Sequence, residues 1–247
     1  MYPYIHIILP SYMVMALIGG FFAVCFIFSR IDKYEILFTD FIKMFLLCMI
    51  GGVVGSKVLF AITQIPWLIK HFSIENMILL IPQSGFVFYG GLFGVIFTLM
   101  FLTRNDADMR KKVFEISVPA MPLFHAFGRI GCFLAGCCYG KKLSTPIVIG
   151  TIEFARIPVQ IIESMAEFIL FIVLFILSKK NRDIDLLRIY LVIYAVIRFA
   201  DEFLRGDKIR GIYGGVSTAQ WISLIILFVY GFEYIKGRYS KKVNSSF

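Results

Sequence analysis

Arg129 and Arg198 stand inside two different apolar runs of the chain, and each belongs to a line of polar side chains at helical spacing. His125, Arg129 and Cys132 follow one another by four and three residues, and Tyr194, Arg198, Glu202 and Arg205 by four, four and three, so each set lies along one helix face. A charged side chain at the centre of a bilayer costs about 2.5–3.5 kcal/mol even on the lenient insertion scale, which makes an intramembrane arginine a functional residue by default. Guanidinium forks hold phosphate oxygens bidentately and stay charged, so two of them on separate helices fit an anionic headgroup. Glu202 is spaced to orient Arg198 or Arg205, or to accept a proton. Few acids are evident near the two arginines, which favours an anionic ligand over an ion-paired lock between two helices. Gly85-Phe-Val-Phe-Tyr-Gly-Gly91 opens another apolar run and offers Tyr89, Gly90 and Gly91 at the same depth, where glycine allows close backbone approach to a ligand.

His125, one turn before Arg129, is a candidate proton acceptor, although a histidine near a helix end is more often hydrogen-bonded structure than chemistry. Cys132, Cys137 and Cys138 follow it, and thiolates with an imidazole suit zinc or copper. Their spacing matches no standard zinc pattern, and the adjacency of Cys137 and Cys138 disfavours simultaneous chelation. The spacing therefore argues against a metal, with a disulfide or small buried side chains as the better account of the cysteines.

The elements that must position these residues are membrane helices. Of 247 residues, 59% are hydrophobic and 17% charged, too little polar surface for a water-soluble globule. Apolar runs at about 7–28, 36–63, 85–103, 113–135, 158–178, 187–204 and 217–235 predict an all-α polytopic membrane protein of seven spans. One helical domain over 1–236 and a basic tail over 237–247 are expected. The segment 64–84, with Trp67, Lys70 and Phe72, reads as an interfacial helix. The opening residues lack a basic stretch ahead of the apolar run, so the first run is expected to be retained rather than cleaved as a signal peptide.

Lysines and arginines in alternate connections number fourteen on one side and seven on the other, which places the N-terminus outside and the C-terminus in the cytoplasm. Although the net charge is +9, the cations are spread among short connections and form no basic face, so nucleic acid is not an expected partner. With this orientation both arginine lines point to the outer ends of their helices, at the level of a headgroup in the outer leaflet.

Taken in order, these motifs resemble the prolipoprotein diacylglyceryl transferase family. The resemblance rests on Gly128-Arg-Ile-Gly131 with Phe133 and Gly136, on Phe-Tyr-Gly-Gly-Leu at 88–92, and on Pro158-Val-Gln160-Ile-Ile-Glu163. It extends to Tyr194-x-x-x-Arg198-x-x-x-Glu202-Phe-x-Arg205-x-Asp207, to Ser11-Tyr12 and Gly51-Gly-Val-Val-Gly55, and to Gln220 with Ser223, so it spans nearly the whole chain. It implies a bacterial inner-membrane enzyme that moves the diacylglyceryl group of phosphatidylglycerol onto the lipobox cysteine thiol of a preprolipoprotein signal peptide, releasing glycerol phosphate without a cofactor. Arg129, Arg198, His125, Tyr89 and Glu202 are the catalytic candidates. Arg129, Arg198, Arg205, Tyr12, Tyr194, Gly90 and Gly91 are the candidates for binding phosphatidylglycerol.

The chain departs from the family's pattern in three places. Tyr89 stands where a histidine is usual, Lys57 where an arginine is common, and Gly131-Cys-Phe-Leu-Ala-Gly-Cys-Cys-Tyr139 replaces an asparagine- and glutamate-bearing continuation. A phenol is a poor base near neutral pH, so His125 is the expected replacement. Three other readings stay open: a divergent paralogue with another acceptor, a non-catalytic carrier of lipids or anions, and a redox or metal-handling protein built on the cysteines.

Overall fold

The computed structural model describes residues 4–5, 9–70, 87–149, 152–180, 184–207 and 211–244. Its helices are α1 (Ser11–Ile31), α2 (Phe38–Lys70), α3 (Phe88–Leu102), α4 (Ala107–Ser117), α5 (Ala120–Ala135), α6 (Val159–Lys180), α7 (Leu186–Asp201) and α8 (Thr218–Asn244). These follow the seven expected runs, with one run divided into α4 and α5 by a break that contains Pro119. Among the described residues, four segments are long and apolar enough to cross a membrane, Ser11–Tyr34, Phe38–Ile65, Ala107–Ala135 and Val159–Lys180, and the helices at Phe88–Leu102 and Thr218–Glu233 are shorter and apolar. Large apolar side chains lie open along them, among them Phe21 at 65% and Phe228 at 74%, an outside-in pattern that only lipid satisfies. The chain is a polytopic membrane protein.

Two compact units divide the chain, Ser29–Phe114 on one hand and Met1–Phe28 with Glu115–Phe247 on the other. In the first, α2 and α3 pack through glycines. A Cβ on Gly55 would meet the backbone of Gly90 and Gly94, and a Cβ on Gly94 would meet the Gly51 carbonyl, so the helices approach as closely as backbones allow. Ser56 Oγ donates to the Val87 carbonyl at 3.2 Å and fastens the entrance of α3. The expected interfacial helix is only partly covered. Residues 64–70 continue α2 and so form no separate helix, whereas 71–86 lie outside the described residues.

In the larger unit, α1 lies against α5 and α6. A Cβ on Gly19 would come within 2.7 Å of Phe127 Cβ, and Phe22 stacks on Phe127 at 5.3 Å. Phe26 meets Phe171 and Phe175 edge-on. The polar core of this unit lies where α5, α6 and α7 meet, around Gln160, Glu163, Glu167, Tyr190 and Tyr194, all essentially inaccessible.

Three antiparallel two-stranded ribbons flank the helices: β1 (Tyr4–Ile5) with β2 (Leu9–Pro10), β3 (Lys142–Ile149) with β4 (Ile152–Arg156), and β5 (Ile212–Tyr213) with β6 (Val216–Ser217). Gly214 and Gly215, at φ of 60° and 80°, provide the left-handed turn that the last hairpin requires. It delivers Ser217 to the start of α8, where the Gln220 amide N–H donates to Ser217 Oγ at 3.2 Å and the Ser217 amide N–H donates to Gln220 Oε1 at 3.0 Å. This reciprocal cap fixes the helix start. The β3–β4 hairpin lies between the expected runs 113–135 and 158–178, where the sequence predicts no element.

Candidate functional site

The two lines of residues expected from the spacing are lines in the structure. His125, Arg129 and Cys132 are buried on α5, as are Tyr190 and Tyr194 on α7, and Glu202 and Arg205 directly after it. Between them stands a third line, Gln160, Glu163, Ser164 and Glu167 of α6, also buried. Glu163 is its hub. One carboxylate oxygen lies 2.6 Å from Arg129 Nε and the other 3.9 Å from His125 Nε2. The Asp201 carboxyl is hydrogen-bonded to Glu163 as well, which brings α7 to the same point. Glu167 takes the other imidazole nitrogen, Nδ1, at 3.3 Å, and the Tyr194 ring closes edge-on over His125 at 5.5 Å.

Arg198 is held by Asp201 at 3.3 Å and by Glu202 at 2.9 Å, each through a different terminal nitrogen. Glu202 reaches Arg205 Nη1 at 3.8 Å with the same oxygen that meets Arg198, and Asp207 takes Arg205 bidentately. Burial works against the Arg205 guanidinium, but the Asp207 pairing outweighs it and raises the group above its ordinary value, so it is permanently charged. These contacts correct the expectation of few acids near the arginines. Glu163, Glu167, Asp201, Glu202 and Asp207 all belong to the cluster, and overall positive charge is therefore not what makes the site receptive to an anion.

What remains receptive is one end of Arg129. The side chain is 7% exposed, its Nε faces Glu163, and its Nη1 lies 3.7 Å from Cys132 Sγ. Its Nη2 has no hydrogen-bond partner among the described residues. A buried donor left unpaired costs about 1–3 kcal/mol, so an acceptor that fills the position recovers that energy. A Cβ added to Gly128 would meet nothing within 4 Å, so packing among the described residues does not require this glycine. Gly131 has the opposite reason to be glycine, because its Cβ would press on Tyr12 Cα and Met15 Cβ at 3.1 Å. The close crossing of α1 and α5 thus sets Tyr12 half a turn from Arg129 along α5.

The other candidates are placed as follows. Tyr89, in the smaller unit, is buried and stacks on Phe93 at 5.9 Å. Gly90 faces α2, where a Cβ would strike the Gly55 carbonyl, so helix packing already demands this glycine. Gly91 has ordinary room against Gly52 and Ser56.

After α5 the chain turns sharply. Gly136 (φ 75°) caps the helix, the Cys137 amide returns to the Cys132 carbonyl at 3.1 Å, and Cys138 is left-handed at φ 55°, a conformation a non-glycine residue rarely adopts. The three sulfur atoms of Cys132, Cys137 and Cys138 consequently lie within 4.8 Å of one another. The adjacency of Cys137 and Cys138 had argued against convergence, and the left-handed turn removes that argument. All three are free thiols, so the expected disulfide is not formed. His125 is not part of the sulfur group. Hydrogen bonds from the Cys132 and Cys137 thiols, aided by Arg129 and Arg205 and opposed by burial, hold the Cys138 thiol well below the ordinary thiol range.

This turn is tied to the ends of α6 and α7. Gln160 Nε2 donates to the Cys137 carbonyl at 2.7 Å, the Gly206 amide to the Tyr139 carbonyl at 2.9 Å, and the Lys141 amide to the Leu204 carbonyl at 2.8 Å. A Cβ on Gly140 would run into the Ile157 backbone, and one on Gly206 into Gly140. Backbone packing at these two glycines therefore fixes the distance between the cysteine turn and Arg205.

Glu163 and Asp207 stand within the motifs with no expected role, and Glu167 and Asp201 lie outside the expected site. Glu163 and Glu167 carry a usable signal, two acids one helical turn apart in an otherwise apolar run.

A family model described as prolipoprotein diacylglyceryl transferase matches residues 4–235. The chain is 33% identical over 241 residues to a phosphatidylglycerol–prolipoprotein diacylglyceryl transferase of Clostridium tetani, covering 94% of each. It is 33% identical over 205 residues to the second such enzyme of Clostridium perfringens, with 78% of each covered. A relative of the same name from Dehalococcoides mccartyi is 27% identical over 231 residues, 90% of this chain and 86% of that one.

Proposed function

The chain belongs to the prolipoprotein diacylglyceryl transferase family, and from that membership we propose that it transfers the diacylglyceryl group of phosphatidylglycerol to the lipobox cysteine thiol of a preprolipoprotein. The products are a thioether-linked precursor and glycerol phosphate. It is a multi-pass membrane protein of a family found in the bacterial cytoplasmic membrane, with its N-terminus outside.

The observation that carries this reading is the buried Nη2 of Arg129, a donor with no hydrogen-bond partner among the described residues. A phosphodiester oxygen filling that position accepts a charge-assisted hydrogen bond. As the carbon–oxygen bond breaks, negative charge grows on the phosphate, and the same donor stabilises the transition state more than the ground state. Glu163 holds Arg129 in aim. Arg198 approaches the headgroup with its guanidinium anchored by Asp201 and Glu202, and Arg205 supports it through Glu202. Tyr12 and Tyr194, in the same unit as the two arginines, complete the lipid site. His125, set between two carboxylates, takes the proton of the acceptor thiol.

The test is transfer of labelled diacylglyceryl from phosphatidylglycerol to a lipobox peptide, comparing the parent with Arg129→Ala, Arg198→Ala and His125→Ala. Each arginine variant is expected to lose about a hundredfold or more in rate while remaining folded. Undiminished transfer by His125→Ala would remove the histidine from the mechanism. A folded parent inactive with a range of phosphatidylglycerols and peptides would overturn the reading as a whole.

A further inference from the structure

We propose that Cys132, Cys137 and Cys138 form a three-thiolate site for a thiophilic d10 divalent cation of the zinc type, and that its open fourth position takes the acceptor thiol. The second half rests on the transferase reading above. Three sulfurs bound to one ion at about 2.3 Å stand about 3.8–4.0 Å apart. The three here already lie within 4.8 Å of one another, so closure on an ion requires side-chain movements of no more than about 1 Å. Nothing in the helix alone brings them together. The convergence depends on the left-handed turn at Cys138, which is held between the Gln160 side-chain bond to the Cys137 carbonyl and the backbone bonds to Leu204 and Gly206 after α7.

Ligand chemistry selects the ion, since an all-sulfur set prefers a soft or borderline cation to magnesium or calcium. The surroundings are arranged as around a bound metal. Cys132 is buried and receives Arg129 Nη1 at 3.7 Å, a positive neighbour that offsets the single negative charge left by three thiolates on a divalent ion. Cys137, in contrast, is exposed, so one side of the group is accessible. Three protein ligands and one accessible position are the arrangement of a reactive metal site rather than a purely structural one.

The reaction needs what such a site supplies. A thiol that coordinates the ion is deprotonated, and its proton passes by way of water to His125, about two helical turns back along α5. The metal-held thiolate forms the new sulfur–carbon bond at the glycerol carbon. The carbon–oxygen bond to phosphate breaks, both its electrons leave on glycerol phosphate beside Arg129, and the ion keeps its charge throughout.

The decisive experiment uses the full chain in phosphatidylglycerol nanodiscs, reduced and stripped by a chelator, then titrated with Co(II) as an optical probe for zinc. One equivalent with thiolate-to-cobalt absorption is expected, displaced by Zn(II), and the absorption should rise when a lipobox peptide is added but not when its cysteine is replaced by serine. Cys137→Ser, which changes an exposed side chain, is expected to weaken uptake at least tenfold; chelation and reloading of the parent provide the same comparison without mutation. The proposal fails if the reduced parent takes up no cobalt, if uptake survives in Cys132→Ser and Cys137→Ser, if the peptide leaves the spectrum unchanged, or if the stripped parent transfers at its full rate. That last result would leave the transferase reading intact. Conversely, no transfer from either form, with both optical signals present, would sink the transferase reading and not the metal site.

Discussion

Glu163 is the residue on which the site turns, because one carboxylate faces Arg129, His125 and Asp201 on two other helices. Burying so many charges is tolerable only while each is paired, and removing one partner from a buried pair costs about 3–5 kcal/mol. Glu163→Gln keeps the shape but leaves Arg129 Nε without its anion. We expect transfer to fall about tenfold to a hundredfold and the thermal midpoint in detergent to drop, measured on the same preparation. The sequence showed which residues could do chemistry, because charge inside an apolar run is conspicuous. It did not show that α6 supplies the centre, since that depends on the rotation of α6 against α5 and α7, which spacing along a single helix does not specify.

Among the elements, the helices were legible and the turns were not. Runs of about 20 apolar residues announce membrane spans whatever their surroundings. The β3–β4 hairpin, by comparison, is built from a polar connection whose pairing slips between Lys142 and Ile147, so no regular alternation marked it. Its function is to carry the chain from the cysteine turn to α6, and Gly140 is the tight point. Gly140→Ala places a methyl against the Ile157 backbone. It should separate the cysteine turn from Arg205, abolishing most transfer while circular dichroism still reports full helicity. Gly90→Leu acts on a different element, forcing α3 off α2, and is expected to lower the yield of monodisperse protein in size-exclusion chromatography rather than the rate of what folds.

At the scale of the whole molecule, the greasy exterior and charged interior invert the arrangement of a soluble enzyme. One feature of this inversion bears on the membrane itself. The helix carrying Arg198, α7, has 16 residues, about 24 Å of rise against a hydrocarbon layer of about 30 Å. Val196 and Phe203 on and just beyond it are more than half exposed, so lipid meets this short element directly. A bilayer that thins to match this helix brings its headgroup plane closer to the arginines. Turnover should therefore decline as the acyl chains of the host bilayer are lengthened at constant phosphatidylglycerol content, a trend readable from one series of reconstituted vesicles.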